Sequence, residues 1–377
     1  MTLYYLPIQK LESRYTEQWY RWFPEEFKKR GLKPVIIDGD ILTKTIEKGA
    51  FLDVNGAHYW GLSQLMNVSR IFHEGRVKDG DKFFVADIEF PGHAEAIMNM
   101  AYLQGINIEL YGFLHACSVT TEDYVQPLQD SMKYYELGWL SSYDKIFVGS
   151  DFFRGEVISK RINVTAPKED RESLAEKLVV TGNPWNSKEI LTKQQPIHNL
   201  PSKKKQIIFP NRFDFDKRPN LFLDLCMILA DEVPDLKFII TSSRPTMRSC
   251  QPWLIKLYHS VKKALGDRID FEFGLSKFEY YNHLAESKLM FSSSVYESFG
   301  YCPLEAMTFG TIPVCPNKFS YPEVIGSSEF LYNNMDEAIE KTLRALDGKR
   351  TFDNTLSRVR YYNNSINRMI DEMTEFD

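Results

Sequence analysis

Short apolar runs alternate with longer, helix-patterned polar stretches along nearly the whole chain. The runs are Leu3–Leu6, Pro34–Ile37, Lys82–Ala86, Ile108–Leu114 and Lys145–Val148, then Gln206–Phe209, Lys237–Thr241, Ile269–Phe273, Leu289–Ser292 and Ile312–Val314. Each is strand-length and is followed by a turn residue or a polar helical stretch, a pattern that predicts parallel βα units. The runs fall into two groups. Between them, residues 174–201 are polar and hold three prolines, one in Asn183-Pro184. The fold class expected is therefore α/β, with two doubly wound Rossmann-like domains over 1–178 and 179–355. A last segment, 356–377, reads as a helix. A chain of 377 residues suits two domains.

Net charge is −5, so no bulk positive field draws nucleic acid. The one dense basic run, Lys203-Lys204-Lys205, reads as a solvated loop before a strand. Five scattered cysteines without C-x-x-C spacing read as free thiols in a reducing compartment. No apolar run reaches membrane-spanning length and the start lacks a signal-peptide pattern, so a cytoplasmic location is expected. The lack of a recognisable basic amphipathic helix disfavours a membrane partner. No nucleophile elbow, Walker loop or zinc spacing is present, which leaves hydrolase, NTPase and metallopeptidase readings without support.

The richest chemistry lies in residues 296–326, YESFGYCPLEAMTFGTIPVCPNKFSYPEVIG. Glu297 and Glu305 stand eight positions apart. Gly300 and Pro303 mark a turn into a helix, with proline expected at its first position. Glu297 then lies on a loop after a strand, and Glu305 on the first turns of the next helix. Backbone N–H groups at that helix start suit a phosphorylated ligand. Any one such acid is more often a solvated surface residue, since acids favour helix starts generally. The weight rests on the whole pattern.

That pattern resembles the Glu-x7-Glu segment of retaining glycosyltransferases with the GT-B fold, in the large family four. The matching residues are Ser294, Glu297, Phe299, Gly300, Glu305, Ala306, Met307, Gly310, Pro313, Val314, Glu323, Val324 and Ile325. Ser298 departs from the family's usual glycine. Upstream, IIFPNRFDFDKRPNL is similar to the family's strand, cationic loop and helix, with Asn211 in place of a glycine. The resemblance implies that Arg212 and Lys217 hold a donor diphosphate and stabilise the charge that builds on it as the glycosidic bond breaks. It also implies that Glu305 binds ribose hydroxyls, that Glu297 binds a sugar hydroxyl, and that the N–H groups of Phe299, Gly300 and Tyr301 cap the phosphate or sugar. LSKFEYYNHLAESKLMFSSS resembles the segment that precedes this motif. In such enzymes the terminal helix crosses back onto the first domain.

The first domain matches less closely. YGFLHACSV ends a strand at His115, where retaining GT-B enzymes carry a histidine near the transferred sugar; a structural histidine is the equal alternative. KIFVGSDFF resembles the strand closing that domain. The family's Gly-rich first loop is missing, and a polar, aromatic stretch from Gln9 to Trp19, including Arg14 and Tyr15, stands there instead. Its style resembles glycosyltransferases of bacteriophages, some of which modify DNA bases, and its rings suggest stacking of an extruded base. Arg14, Asp87 and Glu89 are candidates for the acceptor side, with turn formation the alternative for the acids.

The resemblance thus implies transfer from a nucleotide-sugar donor, with retention and by a front-face route, using no metal or other cofactor. The acceptor would be a carbohydrate, a small molecule, or a modified pyrimidine in phage DNA. Asp214-Phe215-Asp216 is a literal Asp-x-Asp, the metal-binding pair of GT-A transferases, and supplies a rival reading. In the preferred reading these acids orient Arg212 and Lys217. A non-catalytic sugar-nucleotide-binding protein is a further alternative, opposed by the joint presence of Arg212, Lys217, Glu297 and Glu305.

Overall fold

The structure, a computed structural model, describes residues 1–11, 14–42, 54–89, 92–121, 125–194, 202–348 and 353–374. It divides into two units, Met1–Trp185 with Asn364–Asp377, and Asn186–Asn363. The division falls later than residue 178 because Leu178–Val180 is itself a strand of the first sheet.

The first unit holds β1 (Leu3–Leu6), β2 (Val35–Ile36), β3 (Asp81–Val85), β4 (Ile108–Leu114), β5 (Lys145–Val148) and β6 (Leu178–Val180). They pair in parallel in the order β2-β1-β3-β4-β5-β6. Helices cover the sheet, so β3 is buried along its whole length: the charged Asp81 and Lys82 at its start are buried with the apolar run Phe83–Val85 that follows. Tyr4, Phe83, Leu110 and Ile146 anchor the core from neighbouring strands.

The second unit holds β7 (Lys204–Phe209), β8 (Lys237–Ser242), β9 (Ile269–Phe273), β10 (Ser287–Phe291), β11 (Ile312–Pro316) and β12 (Leu331–Tyr332). All pairings are parallel and the order is β12-β11-β10-β7-β8-β9. Counted within the unit, that is 6-5-4-1-2-3, the doubly wound Rossmann order. Its direction reverses between β7 and β10, and ligands of such sheets bind beyond the strand ends at that point. The Lys203–Lys205 run is not a solvated loop: β7 begins at Lys204. Lys203 donates to the carbonyls of Ala285 (2.7 Å) and Phe309 (2.8 Å) and to Thr311 Oγ1 (2.7 Å), closing two helix ends.

The terminal segment is two helices rather than one. Asp353–Tyr362 belongs to the second unit and Ser365–Thr374 to the first. Asn363 breaks the run because its side chain is engaged elsewhere: Oδ1 accepts the Ser187 N–H (2.8 Å) and Nδ2 donates to Ser187 Oγ (2.8 Å). Beyond the break, Lys82 donates to the Met373 carbonyl (2.8 Å), Arg368 to the Thr181 carbonyl (3.0 Å), and Arg30 pairs with Asp371.

Candidate functional site

In the second unit, the loops after β7 and β10 bring the expected residues together at the topological switch point. The β7 loop runs from Pro210 through a short turn, Phe215–Lys217, and then into the helix Pro219–Glu232. The β10 loop leads to the helix Tyr301–Thr308. Lys217 Nζ lies 3.2 Å from Glu297 Oε2, and Arg212 lies 2.7 Å from Asp216. Backbone bonds fix this contact. The Val295 N–H donates to the Asp216 carbonyl (2.9 Å), and Ser293 Oγ lies 2.9 Å from the carbonyls of both Lys217 and Arg218. Ser320 holds the Glu297 carbonyl through its Oγ (2.9 Å) and its N–H (3.3 Å).

Gly300 takes φ +94° at the helix start, where a side chain would be strained. Pro303 is the third helical residue rather than the first, still within the turn whose N–H groups lack helical partners. Phe299 is buried, its ring edge-on to Tyr301 and Tyr362.

Glu305 is buried in a cage of donors. Lys277 (3.2 Å), Tyr280 (2.7 Å) and Tyr281 (3.1 Å) all point at its carboxylate. Burial opposes the charge on Lys277, but Glu305 more than compensates and raises its pKa above the usual lysine value. A carboxylate offers about four acceptor positions, so this cage leaves about one for a ligand hydroxyl. Cys302 sits among these charges. Burial, then Glu305 and Glu297, push its thiol up to about 12.

Sequence reasoning named Glu305 but not its cage, nor Ser293, Ser320 and Cys302. One signal existed for the cage: Ser276 and Glu279 form a capping box that starts the helix Lys277–Glu286, and so places Lys277, Tyr280 and Tyr281 on its first turns.

The Asp-x-Asp acids do not share a role. Asp216 does orient Arg212. Asp214 instead faces Arg244 (3.5 Å) and accepts the Cys250 N–H (2.8 Å), because the loop after β8 packs over it. Among the described residues no group of three or more histidines, cysteines, aspartates or glutamates is arranged to hold a metal ion.

In the first unit, Asp87, Glu89 and His115 gather at the ends of β3 and β4. His115 Nε2 donates to the Ala86 carbonyl (2.9 Å), since a carbonyl can only accept, so Nδ1 is the unprotonated nitrogen. Burial lowers its pKa to about 4. Asp87 goes the other way: burial raises it to about 7, partly offset by the Glu89 N–H. Glu89 accepts the Ala116 N–H (2.5 Å) and ties the β3 end to the His115 loop.

Arg14 stands just before the helix Tyr15–Lys29, its N–H on the Leu11 carbonyl (3.2 Å). The stretch from Gln9 to Trp19 is therefore not an aromatic loop. Glu12 and Ser13 lie outside the described residues, and Tyr15 and Trp19 are helical. Trp19 is fully buried, stacked on His115 at 4.5 Å and edge-on to Phe113. It cannot serve as a stacking platform, because the helix's apolar face turns it into the core.

Comparison with known proteins adds three findings. Residues 192–365 match the family model described as Glycosyl transferases group 1. The span includes Arg212, Lys217, Glu297 and Glu305. The chain is 30% identical over 150 residues to a tRNA-queuosine alpha-mannosyltransferase of Drosophila melanogaster, a match covering 40% of this chain and 38% of that protein. The chain thus spans well under half of that relative. Among solved structures, a sucrose-phosphate synthase from Thermosynechococcus elongatus superposes with a TM-score of 0.65 at 14% identity, over 99% of this chain and 98% of that one. A trehalose-6-phosphate synthase, studied with bisubstrate glycomimetics for glycosyl transfer with retention, superposes with a TM-score of 0.57 at 13% identity, over 86% and 81%. The chain has the two-domain α/β GT-B fold.

Proposed function

We propose that this protein is a glycosyltransferase that moves a sugar from a nucleoside-diphosphate donor to an acceptor hydroxyl with retention at the anomeric carbon. The observation that carries the reading is the Lys217–Glu297 contact, with Arg212 alongside, at the switch point of a Rossmann-ordered sheet. Two cations beside a helix start suit a diphosphate. A carboxylate 3.2 Å from one of them suits a sugar hydroxyl next to that diphosphate. The family match over residues 192–365 supports glycosyl transfer.

In the proposed step, the bond between the anomeric carbon and the phosphate oxygen breaks, and the acceptor oxygen bonds to the same face of that carbon. The acceptor proton passes to the departing phosphate oxygen. Arg212 and Lys217 meet the developing charge, so no metal is needed. Glu305 takes a ribose hydroxyl at its remaining acceptor position. The N–H groups of Phe299, Gly300 and Tyr301 cap the phosphate or sugar. His115, a neutral imidazole, stands near the transferred sugar, and Arg14, Asp87 and Glu89 serve the acceptor side.

For the acceptor we favour a hydroxyl on a modified nucleoside. The mannosyltransferase relative is named for tRNA-queuosine. A glycan or small-molecule acceptor is the second reading, favoured by the net charge of −5. The test is a panel of nucleotide sugars scored by donor hydrolysis and thermal shift. Labelled sugar is then offered with tRNA, hydroxymethylated DNA and simple glycans. Hydrolysis of one donor and transfer to a nucleic acid are expected. No donor binding at all would sink the transferase reading, and transfer only to glycans would sink the nucleoside acceptor.

A further inference from the structure

Residues 236–266 hold six lysines and arginines (Lys237, Arg244, Arg248, Lys256, Lys262, Lys263) and no aspartate or glutamate, in a chain whose net charge is −5. They form β8, the loop after it, and the helix Pro252–Leu265. The helix is basic and amphipathic, which the sequence reading missed. Its apolar face, Leu254, Tyr258, Val261 and Leu265, is spent on the core of its own unit. The opposite face carries Trp253, Lys256, Ser260 and Lys263, spaced three, four and three residues apart, all exposed. Arg248 is exposed in the loop before it.

This face joins the candidate donor site. Arg244 faces Asp214, the Cys250 N–H donates to the same acid, and the Phe215 N–H donates to Gln251 Oε1 (3.1 Å). Phe215, two residues before Lys217, is 45% exposed, and Trp253, two residues after Gln251, is 46% exposed. Lys262 is engaged by Asp270 (2.7 Å) and adds nothing to the outer face.

We propose that this face is the docking surface for a polynucleotide acceptor. Arg248, Lys256 and Lys263 contact phosphates, and Trp253 and Phe215 offer stacking faces to unpaired bases. Separated cations with two exposed rings match alternating phosphates and bases. A lipid surface would require a broad outward apolar face, and here the helix turns that face inward. The proposal deepens the glycosyl-transfer reading and rests on it for the meaning of the acceptor, but binding is measured without donor.

The experiment is fluorescence anisotropy of the whole protein with a labelled single-stranded RNA oligonucleotide, repeated with unlabelled tRNA as competitor, across a salt series. Arg248→Ala/Lys256→Ala/Lys263→Ala is expected to weaken binding at least tenfold at low salt. It should also flatten the log–log salt slope by about 0.7 per lost phosphate contact. Trp253→Ala should weaken binding with little change in slope. Lys28→Ala/Lys29→Ala/Lys168→Ala, on the first unit, should change neither. Affinity of the first triple variant within twofold of wild type overturns the proposal. So does binding of the wild type to anionic phospholipid vesicles but not to RNA. Donor hydrolysis by the same variant should stay at the wild-type level. Its absence in the wild type would count against the transferase reading instead.

Discussion

Arg218 and Phe319 are the two non-glycine residues with positive φ among those described, at +46° and +59°. Both adjoin the charged contact: Arg218 follows Lys217, and Phe319 precedes the serine that holds Glu297. A left-handed conformation costs a side-chain-bearing residue about 1–2 kcal/mol, and such strain gathers at functional sites. Ser293 restrains the first turn and Ser320 the second. Arg218→Gly removes the strain but adds about 0.5–1 kcal/mol of unfolded-state entropy. A net gain in stability of up to about 1.5 kcal/mol is therefore expected in urea melts. Ser293→Ala should lower kcat/KM about tenfold, the loss of about one hydrogen bond's worth of positioning, and adding Arg218→Gly should recover part of it. If Ser293→Ala shifts stability and leaves kcat/KM intact, the serine only supports the fold. Arg212→Ala and Lys217→Ala should each remove about 3 kcal/mol of transition-state stabilisation while the protein stays folded. Near-wild-type turnover in a folded Lys217→Ala protein would remove that residue from the mechanism.

At the scale of elements, the Glu305 cage pins the helix Lys277–Glu286 to the helix Tyr301–Thr308. Lys277→Met would leave a buried carboxylate short of its cation, a loss of about 3 kcal/mol, to be read as a lower urea midpoint together with weaker donor binding. An unchanged midpoint would mean that the two tyrosines satisfy Glu305 alone. Ten of the twelve strands were legible because each carries a short apolar stretch set off by a turn residue or a helix-patterned segment. The two missed, β6 and β12, are edge strands of three and two residues; β2 is as short, and was read because Pro34 and Ile37 extend its apolar run. The cationic loop and Glu297 were legible because they lie at fixed offsets from strands. The cage and the serine clamps were not, since they depend on which loops pack together. Trp19 was misjudged because the stretch from Gln9 was read as standing in for the family's Gly-rich loop, whereas the helix begins at Tyr15 and turns the indole inward. Asp214 and Asp216 each face an arginine, so turnover should persist in excess chelator. Abolition by chelator with rescue by manganese would revive the metal-dependent reading.

Across the whole molecule, two groups at neighbouring strand ends set opposing pH responses of stability. His115 has its folded pKa lowered to about 4 from 6.5. The unfolded chain binds the proton more tightly, so stability from this group is complete above 6.5 and is lost as pH falls toward 4. Asp87 has its folded pKa raised from 3.8 to about 7. Here the folded chain binds the proton more tightly, so stability is complete below 3.8 and is lost as pH rises through 7. Between about pH 4 and 6.5 the two slopes have opposite sign and similar size, and the contribution of the pair should be nearly flat. Removing one partner should expose the other. His115→Gln is expected to lose stability from pH 4 to 7 relative to wild type, and Asp87→Asn to gain it over the same range. Urea midpoints at half-unit pH steps for the three proteins test this directly. Parallel curves, with neither substitution changing the slope, would mean that both groups titrate at their ordinary values and that the strand ends are open to water.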